Sequence, residues 1–146
     1  MRLYIDLNCF NRPFDDQRQV RIRHETEAVF AILKRIAEGK DTLIWSWVID
    51  FENAKHPMPD RRDEIALWKN RAEVIALDAG VEERSRQLSG HGIPALDAAH
   101  LASAEAGNAH VFLPCDDVVV KRAKRRKLGL RVLNPVAYCK KVVSHG

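Results

Sequence analysis

The apolar positions of the chain fall into short continuous runs that alternate with longer stretches of helical spacing. The short runs are bounded by turn residues and predict buried strands, at Arg2–Asp6, Thr42–Ser46, Val74–Leu77, His110–Cys115 and Arg131–Leu133. Apolar residues three and four positions apart predict helices, at Val20–Glu38, Trp47–Lys55, Asp60–Asn70, Glu82–Leu88, Ala95–Ala106 and, as a basic helix, 118–127. The polar segment Asn8–Asp16 predicts a loop. This alternation predicts an α/β fold, a single three-layer domain over residues 1–146 with a central parallel sheet flanked by helices.

Composition places the chain among folded globular proteins. Its 146 residues are 46% hydrophobic and 30% charged, and no apolar run approaches the roughly 20 residues of a membrane span. The first ten residues lack the features of a signal peptide. Three cysteines without CxxC spacing argue against a disulfide framework or a zinc site. We therefore expect a cytoplasmic protein with reduced thiols.

Charge is unevenly distributed along the chain. The net charge is +4, but from Lys121 onward there are nine basic and no acidic residues, whereas the first 120 residues carry 15 basic and 20 acidic ones. This asymmetry indicates one surface that could meet a polyanion while carboxylates gather elsewhere. A solvated basic helix explains the charge equally well.

Four acidic residues are predicted to meet at one edge of the sheet. Asp6 ends the first strand, Asp116 follows the 110–115 strand, Glu52 lies on the helix after the second strand, and Asp97 opens a helix. Ligands of open parallel sheets bind outside the carboxyl ends of the strands. Each acid taken alone could also be a helix cap or a solvated charge, and Asp97 in particular could be an N-cap.

Converging carboxylates predict a hard cation. Four acids share a pocket only if their pKa values rise strongly or a divalent cation lies among them. Oxygen ligands without a His or Cys cluster favour Mg²⁺ or Mn²⁺ over Zn²⁺. Such a cation can activate water and stabilise charge on a phosphoryl oxygen. The pattern therefore predicts phosphodiester hydrolysis, with the basic C-terminal third facing nucleic-acid phosphate.

Several segments resemble the PIN-domain family, specifically its VapC-type toxin branch. YIDLNCFNRPFDD is similar to the family's first strand and Asp-x-Asn motif, and residues 95–125 are similar to its second half, including the D-A-x-H-x-A helix. RVLNPVAY near the C-terminus also fits, so the resemblance covers essentially the whole chain. The matched positions are Asp6, Asn8, Ser46, Glu52, Asp97 and Asp116.

The resemblance implies a PIN-like parallel sheet and an Mg²⁺- or Mn²⁺-dependent endoribonuclease that leaves a 3′-hydroxyl and a 5′-phosphate. It assigns the four acids to catalysis and metal binding, and Asn8 and Ser46 to orienting ligands or water. It also implies a homodimer and an antitoxin partner that occupies the active-site groove. Pro114 departs from the family, which usually has Thr or Ser there. A PIN-like module that binds RNA or protein without cleavage therefore stays open.

The remaining polar residues are interpreted more simply. Basic residues are the predicted phosphate contacts, namely Arg12, Lys121, Arg122, Lys124 and Arg125. His100 lies one helical turn after Asp97 and could approach the site, but the simpler interpretation is a buried histidine bonded to backbone. Cys9 and Cys115 are expected to be buried as small apolar residues. A phospho-acceptor receiver domain is also α/β, but the sequence offers no convincing pair of a central Asp and a later strand-end Lys.

Overall fold

A computed structural model of the chain describes residues 1–124 and 128–145. Within these ranges there are five strands, β1 Arg2–Ile5, β2 Thr42–Ser46, β3 Ala72–Ile75, β4 Val111–Leu113 and β5 Arg131–Val132. There are eight α-helices, α1 Leu7–Asn11, α2 Val20–Ala37, α3 Trp47–Ala54, α4 Pro59–Ala66, α5 Ala79–Gly90, α6 Ala95–Ala106, α7 Asp117–Lys124 and α8 Pro135–His145. Two 3₁₀ turns cover Arg12–Phe14 and Leu67–Arg71. No helix in the described ranges is long and apolar enough to cross a membrane.

All five strands are parallel, in the order β3-β2-β1-β4-β5. The chain moves from β1 outward to β3 on one side and then crosses to β4 and β5 on the other. Because parallel crossovers are right-handed, connections in opposite directions lie on opposite faces of the sheet. Helix α2 packs on α8, and α5 packs on α6. The predicted three-layer α/β fold is confirmed.

The strand order creates a crevice between β1 and β4, where the direction of winding reverses. In open α/β sheets this switch point is where ligands bind. The backbone N–H of Asp6 donates to the carbonyl of Leu113 (3.1 Å), which ties the end of β1 to the end of β4. The fold therefore places the residue after β1 at the mouth of the crevice.

The structure differs from the predicted loop over Asn8–Asp16. Leu7, Cys9 and Phe10 are buried and form helix α1, followed directly by a 3₁₀ turn. The Asn, Pro and Asp residues gave a loop signal, but the apolar side chains interleaved with them pack into the core. The loop prediction was wrong because burial outweighed local turn propensity.

The structure also differs from the prediction at strand β3 and at the C-terminal helix α8. Strand β3 covers Ala72–Ile75 rather than Val74–Leu77; Val74 is exposed on this edge strand, and Leu77 is exposed two residues beyond its end. Helix α8 was not predicted, although Pro135 at its first position is a usual helix start, and Asn134 Oδ1 accepts the backbone N–H of Val136 (2.8 Å). The predicted basic helix 118–127 is described only to residue 124, and its remainder lies outside the described residues.

Gly107 ends α6 at a point of close approach to the sheet. A Cβ there would lie 2.7 Å from Ile44 Cγ2 and 3.0 Å from Ile75 Cγ1. We expect Gly107→Ala to lower the free energy of unfolding by about 1–3 kcal/mol, because the extra methyl overpacks the core. Urea denaturation measures this. Gly90→Ala is the matched control, since its Cβ meets nothing within 4 Å, and equal losses for the two variants would contradict the packing argument.

Candidate active site

Three elements bring polar side chains to the crevice. Asp6 follows β1, Glu52 lies on α3, and Asp97 and His100 lie one turn apart on α6. Helix α3 begins directly after β2 and contacts α6, so residues distant in sequence meet at the carboxyl edge of the sheet. Asp97 is the third residue of α6 and Pro94 holds the N-cap position. The alternative that Asp97 is an N-cap is therefore wrong.

The centre of the site is formed by Asp6, Glu52 and His100, here called the acid–histidine cluster. One potential ligand atom from each residue lies within 4.8 Å of the others. His100 Nε2 is hydrogen-bonded to Glu52 Oε1 and lies 3.7 Å from Asp6 Oδ1. His100 is buried, as predicted, but its ring nitrogens contact side chains rather than backbone. The simpler interpretation, that His100 bonds backbone, was wrong, and the alternative that it approaches the site agrees with these contacts.

The carboxylates of the site oppose one another's ionisation. Burial raises the pKa of Asp6, and the charges of Glu52 and Asp97 raise it further, against an opposing effect of His100. Burial also raises the pKa of Asp97, where Asp116 adds to the effect and His100 and Arg122 oppose it. Such a group of acids favours a positive charge among them.

The negative charges of the same carboxylates favour the protonated form of the His100 imidazole. Burial lowers the pKa of its imidazole, but the hydrogen bond to Glu52 and the charges of Asp6, Glu52 and Asp97 outweigh burial and leave the pKa above its usual value. The pocket thus stabilises a cation at its centre. The carboxylate oxygens of Asp6 and Glu52 are ligands that a hard divalent cation fits, with the His100 imidazole beside them.

A buried hydroxyl chain runs behind the cluster. The Tyr4 hydroxyl lies 2.6 Å from Ser46 Oγ and 2.6 Å from His100 Nδ1. Tyr4 and Ser46 are fully buried, and the Tyr4 ring stacks on Phe112 with 5.4 Å between centroids. Burial raises the pKa of Tyr4 well above its usual value, so the phenol stays protonated. Ser46, predicted to orient ligands or water, is hydrogen-bonded to Tyr4.

Sequence reasoning assigned no functional role to Tyr4. One signal was available, since Tyr4 lies two residues before Asp6 and residues i and i+2 of a strand share a face. A polar ring there, in an otherwise apolar strand, points to the same edge of the sheet as the acid.

The remaining matched residues lie at the rim. Asn8 is exposed in the first turn of α1. Asp116 is exposed, and its Oδ1 accepts the backbone N–H of Val118 (2.8 Å) at the start of α7. It lies close enough to Asp97 to raise that residue's pKa, but it is not part of the acid–histidine cluster. Because β4 ends at Leu113, Asp116 is three residues beyond the strand rather than directly at its end.

The basic residues predicted to contact phosphate have different environments. Lys121 and Arg122 are exposed on α7, and the charge of Arg122 lowers the pKa of Asp97. Arg12 is already held by two carboxylates, with Nε donating to Glu25 (3.0 Å) and Nη1 donating to Asp15 (2.8 Å). Arg125 lies outside the described residues, as does the side chain of Lys124. Among the predicted phosphate contacts whose side chains the structure describes, Arg122 is therefore the one that interacts electrostatically with an acid of the site.

Cys9 and Cys115 are both buried and free, which confirms the prediction. Their sulfur atoms are 2.7 Å apart, and Cys9 Sγ also donates to the carbonyl of Leu113 (3.2 Å). Burial raises the pKa of the Cys9 thiol well above its usual value. The Cys9 thiol therefore stays protonated, and both buried side chains pack as small apolar groups.

The sequence matches no model of a known protein family and no curated protein. The structure, in contrast, resembles several solved structures. VapBC2 from Rickettsia felis, solved bound to a DNA fragment from its promoter, superposes with a TM-score of 0.60 at 16% identity, over 92% of this chain and 98% of that chain. DNA-bound VapBC from Salmonella typhimurium gives 0.58 at 15% identity, over 92% and 98%. FitAcB from Neisseria gonorrhoeae gives 0.56 at 18% identity, over 91% and 97%.

These similarities cover nearly the whole length of both chains. At identities of 15–18% they show that this chain shares the fold of chains in the VapBC and FitAcB structures, which is the fold that the resemblance predicts. The roles of individual residues rest on the geometry of this chain.

Proposed function

We propose that the protein is a metal-dependent endoribonuclease that acts as the toxin of a toxin–antitoxin pair. The observation that carries the proposal is the acid–histidine cluster, a compact group of possible metal ligands at the switch point of a PIN-like sheet. Asp97 lies beside the cluster and interacts electrostatically with Asp6.

The donor set fits Mg²⁺ or Mn²⁺. Asp6, Glu52 and Asp97 would hold the ion, and Asp116 would complete the acidic site from the rim. When bound, the ion supplies activation of water and stabilisation of charge on the phosphoryl oxygens. Asn8 and Ser46 would orient ligands or water.

The substrate is proposed to be RNA, bound through its phosphates. Arg122 on α7 is exposed, and its charge interacts with that of Asp97. Its guanidinium would donate hydrogen bonds to a phosphate group bound at the site. This basic surface would be extended by Lys121, Lys124 and Arg125. Arg12 would add a contact from the other side, but its guanidinium must first release its hydrogen bonds to Glu25 and Asp15. Neutralising backbone phosphates in this way supports sequence-independent affinity.

An antitoxin is the proposed protein partner. The similar solved structures include VapBC and FitAcB, and the sequence resembles the VapC-type toxin branch. We further propose a homodimer in the cytoplasm, as the resemblance implies.

A non-catalytic PIN-like module that binds RNA or protein is the second candidate. Pro114 and Asp116 favour it, because Asp116 caps α7 through the Val118 N–H and the position of the family's Thr or Ser holds a proline. Metal binding without cleavage would distinguish this module from a nuclease.

Cleavage of a structured RNA tests the proposal directly. We expect wild type to cut with Mn²⁺ or Mg²⁺, to stop cutting in EDTA, and to resume when excess metal is added. Asp97→Asn removes one charge beside the cluster at nearly constant shape and should cut at least about 100-fold more slowly, because electrostatic stabilisation worth several kcal/mol is lost. A contaminating nuclease would cut equally in both preparations. Cleavage that resists EDTA, or equal cleavage by the two proteins, would contradict the proposal.

A further inference from the structure

Four side chains from four elements form one continuous hydrogen-bonded chain that ends in the site. Ser46 at the end of β2 contacts Tyr4 on β1, Tyr4 contacts His100 on α6, and His100 contacts Glu52 on α3. The first three side chains are buried from solvent. Glu52, with 24% of its side chain exposed, is the member that opens toward the crevice.

The direction of the protons along this chain follows from the chemistry of its two ends. An ionised carboxylate only accepts hydrogen bonds, so the proton between His100 and Glu52 belongs to Nε2. In a neutral imidazole Nδ1 then has a free lone pair and accepts the Tyr4 O–H. The Tyr4 oxygen in turn accepts the Ser46 O–H. When His100 is neutral, every donor on this path points toward Glu52.

We propose that Tyr4 and His100 are positioning residues that fix the Glu52 carboxylate for metal binding, with Ser46 acting at the start of the chain. The proposal rests on the metal-dependent function argued above and adds to it two residues outside the acidic quartet. It also changes the role of Ser46, which acts through Tyr4 and His100 rather than on the ligand directly.

The geometry explains why Glu52 needs such support. A glutamate has three rotatable bonds, and ordering it in a site costs conformational free energy. His100 is the hydrogen-bond partner of Glu52 within the described residues, and its own ring is fixed by Tyr4 through the opposite nitrogen. Groups behind metal ligands typically change metal affinity about 10- to 100-fold when removed.

Three variants separate positioning from packing. Tyr4→Phe removes only the hydroxyl and keeps the ring stacked on Phe112. His100→Gln can place an amide N–H near the Nε2 position, whereas His100→Asn reaches only the Nδ1 position and leaves Glu52 without a donor. Tyr138→Phe is the matched control, because Tyr138 is also a buried tyrosine and donates to Asp41 (2.9 Å) at the opposite edge of the sheet.

Isothermal titration calorimetry with Mn²⁺ on the full chain, together with electron paramagnetic resonance of the bound ion, provides the readout. We expect Mn²⁺ affinity to fall about 10- to 100-fold in His100→Asn and about 10-fold in Tyr4→Phe. His100→Gln should stay within about threefold of wild type, and Tyr138→Phe should bind like wild type even if it unfolds more easily. The Mn²⁺ spectrum should change in Tyr4→Phe and not in Tyr138→Phe.

The outcomes distinguish failure of the metal-dependent function from failure of the positioning role of Tyr4 and His100. A wild-type protein that binds no Mn²⁺ overturns the proposed metal-dependent function. A wild type that binds Mn²⁺ while Tyr4→Phe and His100→Asn bind it equally well overturns the positioning role alone. Equal losses in Tyr4→Phe and Tyr138→Phe would show a general effect of hydroxyl removal and would also overturn it. Tyr4→Phe retains its ring packing, so the test does not depend on whether the His100 variants fold.

Discussion

Asp6→Asn is expected to abolish RNA cleavage and Mn²⁺ binding while making the metal-free protein more resistant to unfolding. Asp6 is buried close to two other carboxylates, and its raised pKa shows that its charge is unfavourable in the folded chain. An amide of the same shape removes that charge. Cleavage should fall at least about 1000-fold, because the central carboxylate contributes several kcal/mol of electrostatic stabilisation.

The measurements are cleavage rate, Mn²⁺ titration and thermal denaturation with and without Mn²⁺. Wild type should gain stability from Mn²⁺, since a ligand that binds only the folded state stabilises it, and Asp6→Asn should gain none. Asp16→Asn is the matched control, because Asp16 is an exposed aspartate paired with Arg18. A variant that is inactive and also less stable than wild type would point to a structural role for Asp6.

The main elements of the fold were predictable because their signals are local. Strands β1, β2 and β4 are buried on both faces, so each appears in the sequence as a continuous apolar run. Helix α2 shows its apolar stripe because one face packs on the core. The failures share a cause, since α1 and the edge strand β3 depend on what packs beside them rather than on their own residues.

Two positions in the candidate site, Asp6 and Asp97, were predictable because each follows from the end of an element. Asp6 comes after β1 and Asp97 opens α6, so the topology alone brings them to one edge. His100 was misread because its partners are far away in sequence, Glu52 at 48 positions and Tyr4 at 96. A histidine on an apolar helix face looks the same in the sequence whether it bonds backbone or two polar side chains from other elements.

Pro114 bears on both the end of β4 and the position of Asp116. Proline has no N–H to donate to a sheet ladder, and β4 ends at Leu113, directly before it. The chain then turns, so that Asp116 reaches the rim and caps α7. Asp116, two residues after Pro114, thus has an evident structural task at the start of α7, whereas the hydrogen bonds of Asp6 and Glu52 offer no comparable explanation for burying two carboxylates together.

Asp41→Asn is expected to destabilise the protein by about 3 kcal/mol without changing Mn²⁺ affinity. The buried Asp41 carboxylate accepts hydrogen bonds from Arg35 Nε (2.9 Å), the Tyr138 hydroxyl (2.9 Å) and the N-terminal amino group of Met1 (3.2 Å). These bonds join α2, α8 and the start of β1. An amide cannot match a carboxylate bonded to two cations, and losing one member of a buried, hydrogen-bonded ion pair costs several kcal/mol.

The stability that the Asp41 carboxylate contributes is expected to be lost at acid pH. Burial raises the pKa of Asp41, but the bonds from Arg35, Tyr138 and the N-terminus outweigh it and leave the pKa below its usual value. The stabilisation is therefore complete above the unfolded-state pKa of about 3.9 and is lost as the pH falls through the lower folded-state pKa. Urea denaturation from pH 7 to pH 2 should show wild type and Asp41→Asn converging at the acid end. Glu38→Gln, which removes an exposed carboxylate paired with Lys40, should leave the denaturation midpoint unchanged. A constant difference across the whole pH range would mean that Asp41 stabilises the fold through shape and not through its charge.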